Sequence, residues 1–394
     1  MKKLRKKTKR DSGQGKDDVY FRNPKKHEAS MKLQLNIPDF LETLVPYPPG
    51  KPLDELQREY GVTDAIKLAS NENPIGPSPK ALLAVQAHLS NLHRYPDGSS
   101  YYLKQRLSEL HDLHPENLVI GNGSNEIIEL LTRVLIRPGL EVISSEPSFL
   151  VYKKVTQAAG GTNRIVPLKD NRHNLRAIAQ AVSTNTRLIF LDNPNNPMGT
   201  VIGCEEFDVF LAALPQHVVV VLDEAYMEFV REKTPYGLNY IKTDERVVVM
   251  RTFSKAYGLA GLRVGYGVMD KRLVSCCDRV RQPFNINSLA QTAALVALDD
   301  QEHLQKTLEI TWSGMAYLTD SLARMGLHVL PSQTNFLMVD MAMDAKMVYE
   351  RLLRLGVIVR AMPAYGFPTY IRITAGRPEE NDRCVRAIQT ILKG

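Results

Sequence analysis

No apolar run in this 394-residue chain approaches the ~18 residues that a membrane-spanning helix needs. The N-terminus is basic but has no apolar segment of the secretory kind, so a cytoplasmic setting is expected. Cysteine is scarce. Cys204, Cys276, Cys277 and Cys384 show neither C-x-x-C spacing nor a C/H pattern, which argues against a disulfide framework. His111 and His114 lie close in sequence, but no second cluster completes a zinc site, and no metal is expected. A Walker phosphate loop is absent, and Gly121-Asn122-Gly123 lacks the third glycine of a dinucleotide fingerprint.

What is present first is charge. Fifty Lys and Arg against 43 Asp and Glu give a net +7, which on its face suggests nucleic acid or an anionic membrane. Residues 1–30 hold eleven of the basic and four of the acidic residues, leaving 39 of each over 31–394. The whole excess belongs to that tail, which is Lys-rich, nearly free of apolar residues and expected to be disordered. The remaining chain is formally neutral and contains no nucleic-acid-binding module, so neither nucleic acid nor membrane is an expected partner.

Short apolar strands alternate with helical periodicity through the next two hundred and fifty or so residues. The strand candidates are 118–121, 141–144, 187–192, 218–223, 247–251 and 263–268, with helices over 126–136 and 175–182 among those between them. Strands spaced by helices predict a mostly parallel α/β sheet sandwiched between helical layers. Beyond about Leu298 the helical stretches lengthen, with short strands at 334–339, 357–360 and 370–374, which predicts a smaller α+β domain. The expected divisions are a tail over 1–30, an arm over 31–60, a large domain over 61–298 and a small one over 299–394.

Open parallel sheets bind ligands at the carboxyl ends of their strands. Four polar segments fall at such ends: Gly121–Asn125, Asp192–Pro197, Asp223–Tyr226 and Arg251–Lys255. Each has an ordinary structural reading beside a functional one. Gly121-Asn122-Gly123 is either a tight turn or a phosphate cradle at a helix N-terminus. Asp223 either caps a helix or pairs with a protonated heterocycle. Lys255 alone would be a solvated surface lysine, but it stands between Thr252-Phe253-Ser254 and the glycine-rich 258–262 stretch that leads to Arg263.

Taken in order, Tyr47-Pro48-Pro49-Gly50-Lys51-Pro52, Asn71-Glu72-Asn73-Pro74, Arg94-Tyr95-Pro96-Asp97, Asn193–Gly199, Asp223–Tyr226, Ser254-Lys255 with Arg263, and Ile371–Thr374 have a specific spacing. Over about residues 40–394 the chain resembles the fold-type I pyridoxal-phosphate (PLP) aminotransferases, and within them the histidinol-phosphate aminotransferase family. That resemblance implies PLP as cofactor, with Lys255 linking to it covalently and then shuttling the substrate Cα proton. It implies Asp223 on the pyridinium nitrogen, and Tyr226 and Asn196 on the ring 3′ oxygen. Phe149 would stack on the ring where the family often has Tyr, so one hydroxyl contact would be lost. Gly123, Ser124, Asn125, Thr252, Ser254 and Arg263 would hold the phosphate, joined by Tyr95 from a neighbouring subunit, which implies a homodimer.

On the substrate side Arg372 has a plain reading as an exposed strand charge. The resemblance makes it the clamp for the carboxylate of glutamate or 2-oxoglutarate, or for the phosphate of histidinol phosphate. Arg360, Tyr47 and Asn335 are the further substrate-binding residues it implies. The implied reaction is amino transfer between L-histidinol phosphate and 2-oxoglutarate, a step of histidine biosynthesis. Aromatic aminotransferases and threonine-phosphate decarboxylases share nearly all of the cofactor residues and remain the alternatives.

Overall fold

The computed structural model describes residues 35–46 and 53–394. The 1–30 tail and Tyr47 lie outside the described residues. From Asp39 to Gly394 the chain forms one compact unit; Pro38 and the residues before it count as another, of which only 35–38 are described.

Thirteen strands occur among the described residues, in chain order β1 Ile66–Lys67, β2 Leu118–Gly121, β3 Glu141–Glu146, β4 Thr162–Pro167, β5 Thr186–Asp192, β6 Val219–Asp223, β7 Val247–Thr252, β8 Gly265–Val268, β9 His328–Val329, β10 Phe336–Asp340, β11 Val357–Ile358, β12 Arg360–Ala361 and β13 Tyr370–Thr374. Seven of them make the central sheet in the order β2-β8-β7-β6-β5-β3-β4. All adjacent pairs are parallel except the two made by β8, which runs against both β2 and β7.

The sheet is buried on both faces, and its side chains divide with the two-residue period of a strand. Ile143, Ile189, Val220, Leu222 and Val249 point into one apolar cluster with Phe207, Phe210 and Leu211 of the helix Cys204–Ala213. Their alternates Val142, Leu188, Val221, Val248 and Met250 meet Ile127, Ile128, Leu130 and Leu131 of the helix Ser124–Leu135 on the other face. Fully burying one such side chain is worth about 1.5–3 kcal/mol, so the sheet is the rigid part of the molecule.

Two expectations change here. The sequence pattern predicts six strands, and β4 is a seventh at the sheet edge, with mostly half-exposed or exposed residues and no apolar run to mark it. The strand expected over 263–268 begins at Gly265, because Arg263 takes a left-handed backbone with φ 59°. Since β8 is reversed, its first residue meets the last residues of β2 and β7: Gly265 pairs with both Gly121 and Thr252.

The C-terminal part has its own four-stranded antiparallel sheet, β12-β13-β10-β9, and its own core. Leu337, Val339, Ile371 and Ile373 pack there with Leu318 and Leu322 of the helix Gln301–Arg324 and Ile388 of the helix Pro378–Lys393. Residues 53–69 belong with this part, whereas the short helix Asp39–Glu42 lies against the helix Val151–Ala158, where Gln157 Nε2 donates to the Phe40 carbonyl at 2.8 Å. β1 pairs in parallel with β11, and Leu56 and Ala69 pack on Leu353 and Ile358.

Candidate active site

The carboxyl ends of β2, β5, β6 and β7 open on one cleft of about 590 Å3, closed on its other side by β12, β13 and the 69–72 segment. Asp223 ends β6 and is 5% exposed. Its Oδ2 accepts from the Tyr152 hydroxyl at 2.7 Å and its Oδ1 from the Ala225 amide at 3.2 Å. Burial pushes the Asp223 carboxyl up to about 7; the Tyr152 hydrogen bond opposes that, and the neighbouring Asp192 charge adds to it. Tyr152 is buried, stacked on Phe190 at 4.6 Å and edge-on to Phe149, which lines the cleft.

Lys255 follows β7 and lines the same cleft, its Nζ 3.3 Å from the Ser70 carbonyl oxygen and 5.8 Å from the centre of the Tyr226 ring. Burial first, then the Arg372 charge, lower its amine to about 8, which makes a neutral, nucleophilic form accessible near neutrality. The Tyr226 hydroxyl accepts from Asn71 Nδ2 at 2.8 Å and lies 3.4 Å from Asn196 Nδ2. Burial raises the Tyr226 phenol, so it stays protonated and its own hydrogen is available to a third group.

Ser124 and Asn125 open the helix after β2, where unpaired amides and the helix dipole favour an anion. Opposite them Thr252 Oγ1 lies 3.0 Å from Ser254 Oγ, which accepts from Arg263 Nη1 at 3.3 Å. Together these side chains form a cup of hydroxyls, amides and one guanidinium. Gly123 stands behind it with φ 74°, where a Cβ would run into Arg263 Nη2; no other residue fits there without moving the arginine.

On the far wall Arg360 of β12 and Arg372 of β13 are direct cross-strand partners, and both line the cleft. Arg372 is 7% exposed; it donates from Nη1 to Asn196 Oδ1 at 2.6 Å and from Nη2 to the Ala69 carbonyl at 3.0 Å. Its guanidinium sits 5.0 Å over the Phe336 ring. Two guanidinium groups on adjacent strands make this wall of the cleft positive, which suits an anionic ligand.

Two residues expected in the site, Gly123 and Asn335, sit behind the cleft, and Tyr95, expected to serve a neighbouring subunit, lies outside this chain's own cleft. Gly123 supports the cup from behind, as above. Asn335 is fully buried behind the cleft, where its Nδ2 holds the Asn71 carbonyl oxygen at 3.1 Å. Tyr95 is 83% exposed and stacked on Phe284 at 4.8 Å, outside the cleft lining. Sequence reasoning missed Tyr152 and Tyr365 and gave Asn71 no role, although Asn71 opens a motif that was singled out. A tyrosine three positions after Phe149 on a helix was the available signal for Tyr152.

The cleft fits PLP. Asp223 is a buried carboxylate whose direct partners are a phenol and a backbone amide, and a protonated ring nitrogen would supply the missing cation. The hydroxyl, amide and Arg263 cup suits a phosphate, Phe149 offers a ring face, and Lys255 an amine of lowered basicity.

The family model for aminotransferase class I and II matches residues 63–388. A histidinol-phosphate aminotransferase of Desulfotalea psychrophila is 48% identical over 370 residues, covering 93% of this chain and 98% of that one. Histidinol-phosphate aminotransferase 1 of Nitrosococcus oceani is 48% identical over 90% of this chain and 96% of its own. Among solved structures, the histidinol-phosphate aminotransferase of Sinorhizobium meliloti in complex with pyridoxal-5′-phosphate superposes with a TM-score of 0.83 at 29% identity, covering 92% of this chain and all of the other. The chain belongs to the class I and II aminotransferases.

Proposed function

We propose that this chain is a PLP-dependent histidinol-phosphate aminotransferase. It moves the amino group of L-histidinol phosphate to 2-oxoglutarate, giving imidazole-acetol phosphate and glutamate. The observation that carries the reading is the opposed pair Arg360 and Arg372, facing Lys255 across a cleft that already has a separate phosphate cup around Arg263. One anion site serves the cofactor, and the second serves a substrate that arrives as a phosphate in one half-reaction and a carboxylate in the other. The 48% identity to curated enzymes of this name over more than nine-tenths of the first relative's length supports the same substrate.

When bound, PLP supplies a carbonyl carbon to receive the amino group and a ring that stores the electron pair released at the substrate Cα. Lys255 would anchor it and would take the substrate Cα proton on Nζ; an amine with its pKa near 8 both accepts and returns a proton at neutral pH. Asp223 would keep the ring nitrogen protonated. Tyr226, whose oxygen accepts from Asn71, would donate to the ring 3′ oxygen. Asn196 links the two sides, since its Oδ1 holds Arg372 while its Nδ2 reaches Tyr226.

The same reading assigns a homodimer in which Tyr95 reaches the partner's phosphate cup, and the exposed aromatic group of Tyr95, Phe284 and Tyr102 supports it. Residues 61–298 and 299–394 are the large and small domains, with residues 53–69 packed on the latter through Leu56, Ala69 and the β1–β11 pair. The protein works in the cytoplasm; among the described residues no helix is long and apolar enough to cross a membrane. A side-by-side assay with 2-oxoglutarate tests the substrate. Histidinol phosphate should turn over far faster than phenylalanine or tyrosine. The reverse preference overturns the assignment, and CO2 release from threonine phosphate points to a decarboxylase.

A further inference from the structure

Asp192 closes β5 and lines the cleft, yet none of the steps above uses it. It is 3% exposed, and three donors converge on its carboxylate. Ser148 Oγ donates to Oδ1 at 2.6 Å, Asn195 Nδ2 to Oδ1 at 3.1 Å, and the Asn196 amide to Oδ2 at 2.8 Å. Beside them lies His173, 4% exposed, whose Nε2 hydrogen-bonds the Asp192 carbonyl oxygen at 3.0 Å and stands 3.1 Å from Oδ1. Both of those atoms accept, so the hydrogen sits on Nε2, and the Ser145 hydroxyl at 2.7 Å completes Nδ1.

Two of these donors belong to segments that meet the cofactor. Ser148 immediately precedes Phe149, the ring-facing aromatic, and Asn196 is the residue that touches both Tyr226 and Arg372. The strand register also places Asp192 directly opposite Asp223. We propose that Asp192, oriented by His173, is a positioning residue: it locks the Phe149 and Asn196 segments in place and sets a second negative charge beside Asp223. An acceptor-only group surrounded by donors cannot be exchanged for an amide without turning an N–H toward another N–H or O–H. The charge acts at longer range, favouring a cation on the ring nitrogen and on Lys255. It is also one of the groups that raises Asp223.

This inference rests on PLP as the cofactor, and the test separates the two. Wild-type protein that fails to bind PLP sinks the cofactor reading; the variants below then have nothing to report on. With wild type binding, Asp192→Asn should weaken PLP binding about 10- to 100-fold. The pH midpoint of the bound cofactor's visible absorbance should fall by about half a unit to one unit, because a negative charge has been removed. Ser148→Ala keeps the charge and loses one bond, so it should weaken binding by a few-fold while leaving the midpoint in place. His173→Gln, which keeps an N–H at the same reach, should bind PLP within about threefold of wild type, whereas His173→Leu should lose about tenfold. A merely structural role predicts lower melting temperatures for all four with no midpoint change. A folded Asp192→Asn protein with unaltered PLP affinity and midpoint overturns the proposal. If that variant does not fold, equal PLP affinity in His173→Gln and His173→Leu overturns it instead.

Discussion

The cleft floor and the aromatic face around Tyr95 are opposites in completeness. On the floor, Asp223, Tyr152, Tyr226, Asn71 and Asn196 are buried or nearly so and satisfy one another through hydrogen bonds between 2.7 and 3.4 Å. On the face, Tyr95 is 83% exposed and stacks on Phe284, 46% exposed, while Tyr102, 72% exposed, meets Tyr101 edge-on. Large exposed aromatic groups that cluster mark association surfaces. The floor is built from one chain's own residues, whereas the face, on the homodimer proposed above, would be completed by a second surface. Substitutions on the floor should act on chemistry within every chain, and substitutions on the face only through an assembled pair.

The largest effect should come from Lys255→Ala. Loss of the amine that anchors the cofactor and moves the Cα proton should cost at least about 10⁴-fold in kcat. Borohydride reduction followed by peptide mapping should find PLP on Lys255 in wild type and on no lysine in the variant. A variant that transaminates at the normal rate would break the floor half of the contrast.

Asp223→Asn comes next, with about a 10²- to 10³-fold loss in kcat as the ring nitrogen loses its counter-charge. It also has a signature without cofactor. The Asp223 carboxyl moves from 3.8 when exposed to about 7 when buried, so the folded chain holds its proton more tightly than the unfolded one. That contribution to stability is complete below about pH 4 and is lost as pH rises through about 7, on the order of a few kcal/mol in total. Urea unfolding of the cofactor-free protein should therefore show stability falling between pH 4.5 and 7.5, and Asp223→Asn should flatten the slope. Lys255 acts the other way only above pH 8, where its lowered amine adds stability toward 10.5.

Much of this floor is legible in the sequence because strand ends are. Once the chain reads as parallel strands between helices, Gly121–Asn125, Asn196, Asp223 and Thr252–Lys255 must share a rim, and all but Gly121–Gly123 and Phe253 line the cleft or contribute lining residues. Arg263 was assigned to a strand and instead precedes one, yet the reversal of β8 brings it to the same rim. What stayed hidden depends on tertiary register. Tyr152 reaches Asp223 from a helix 71 positions earlier, and Asp192 meets His173 through the loop after β4. The edge strand β4, Thr-Asn-Arg-Ile-Val-Pro, has no apolar run, because one side of it faces solvent. The resemblance puts Asn335 among the substrate-binding residues, and it acts one layer back, on the Asn71 backbone.

Arg372→Lys sharpens the contrast on the cleft's far wall. Lysine keeps the charge but loses the fork that bridges Asn196 and Ala69, and with it two-point recognition of a carboxylate. The expected loss in kcat/KM for 2-oxoglutarate is about 10- to 100-fold, mostly in KM. A change confined to kcat would point to a role in the Asn196–Tyr226 contact instead of substrate binding.

The smallest effect should come from the face. Tyr95→Phe removes one hydroxyl from an exposed side chain, so a tyrosine with no part in any site predicts nothing measurable, whereas a contact with a phosphate cup predicts about tenfold weaker PLP binding. Mixing makes the distinction sharp. In a hybrid of one Lys255→Ala chain and one Tyr95→Phe chain, the Tyr95→Phe chain keeps its Lys255. If Tyr95 acts across the interface, that chain also receives an intact tyrosine from its partner, and its site binds PLP at wild-type affinity. If Tyr95 acts within its own chain, the hybrid binds no better than the Tyr95→Phe protein by itself. Wild-type affinity at half of the hybrid's sites is the expected result, and its absence would leave the aromatic face as a surface without a part in the cleft.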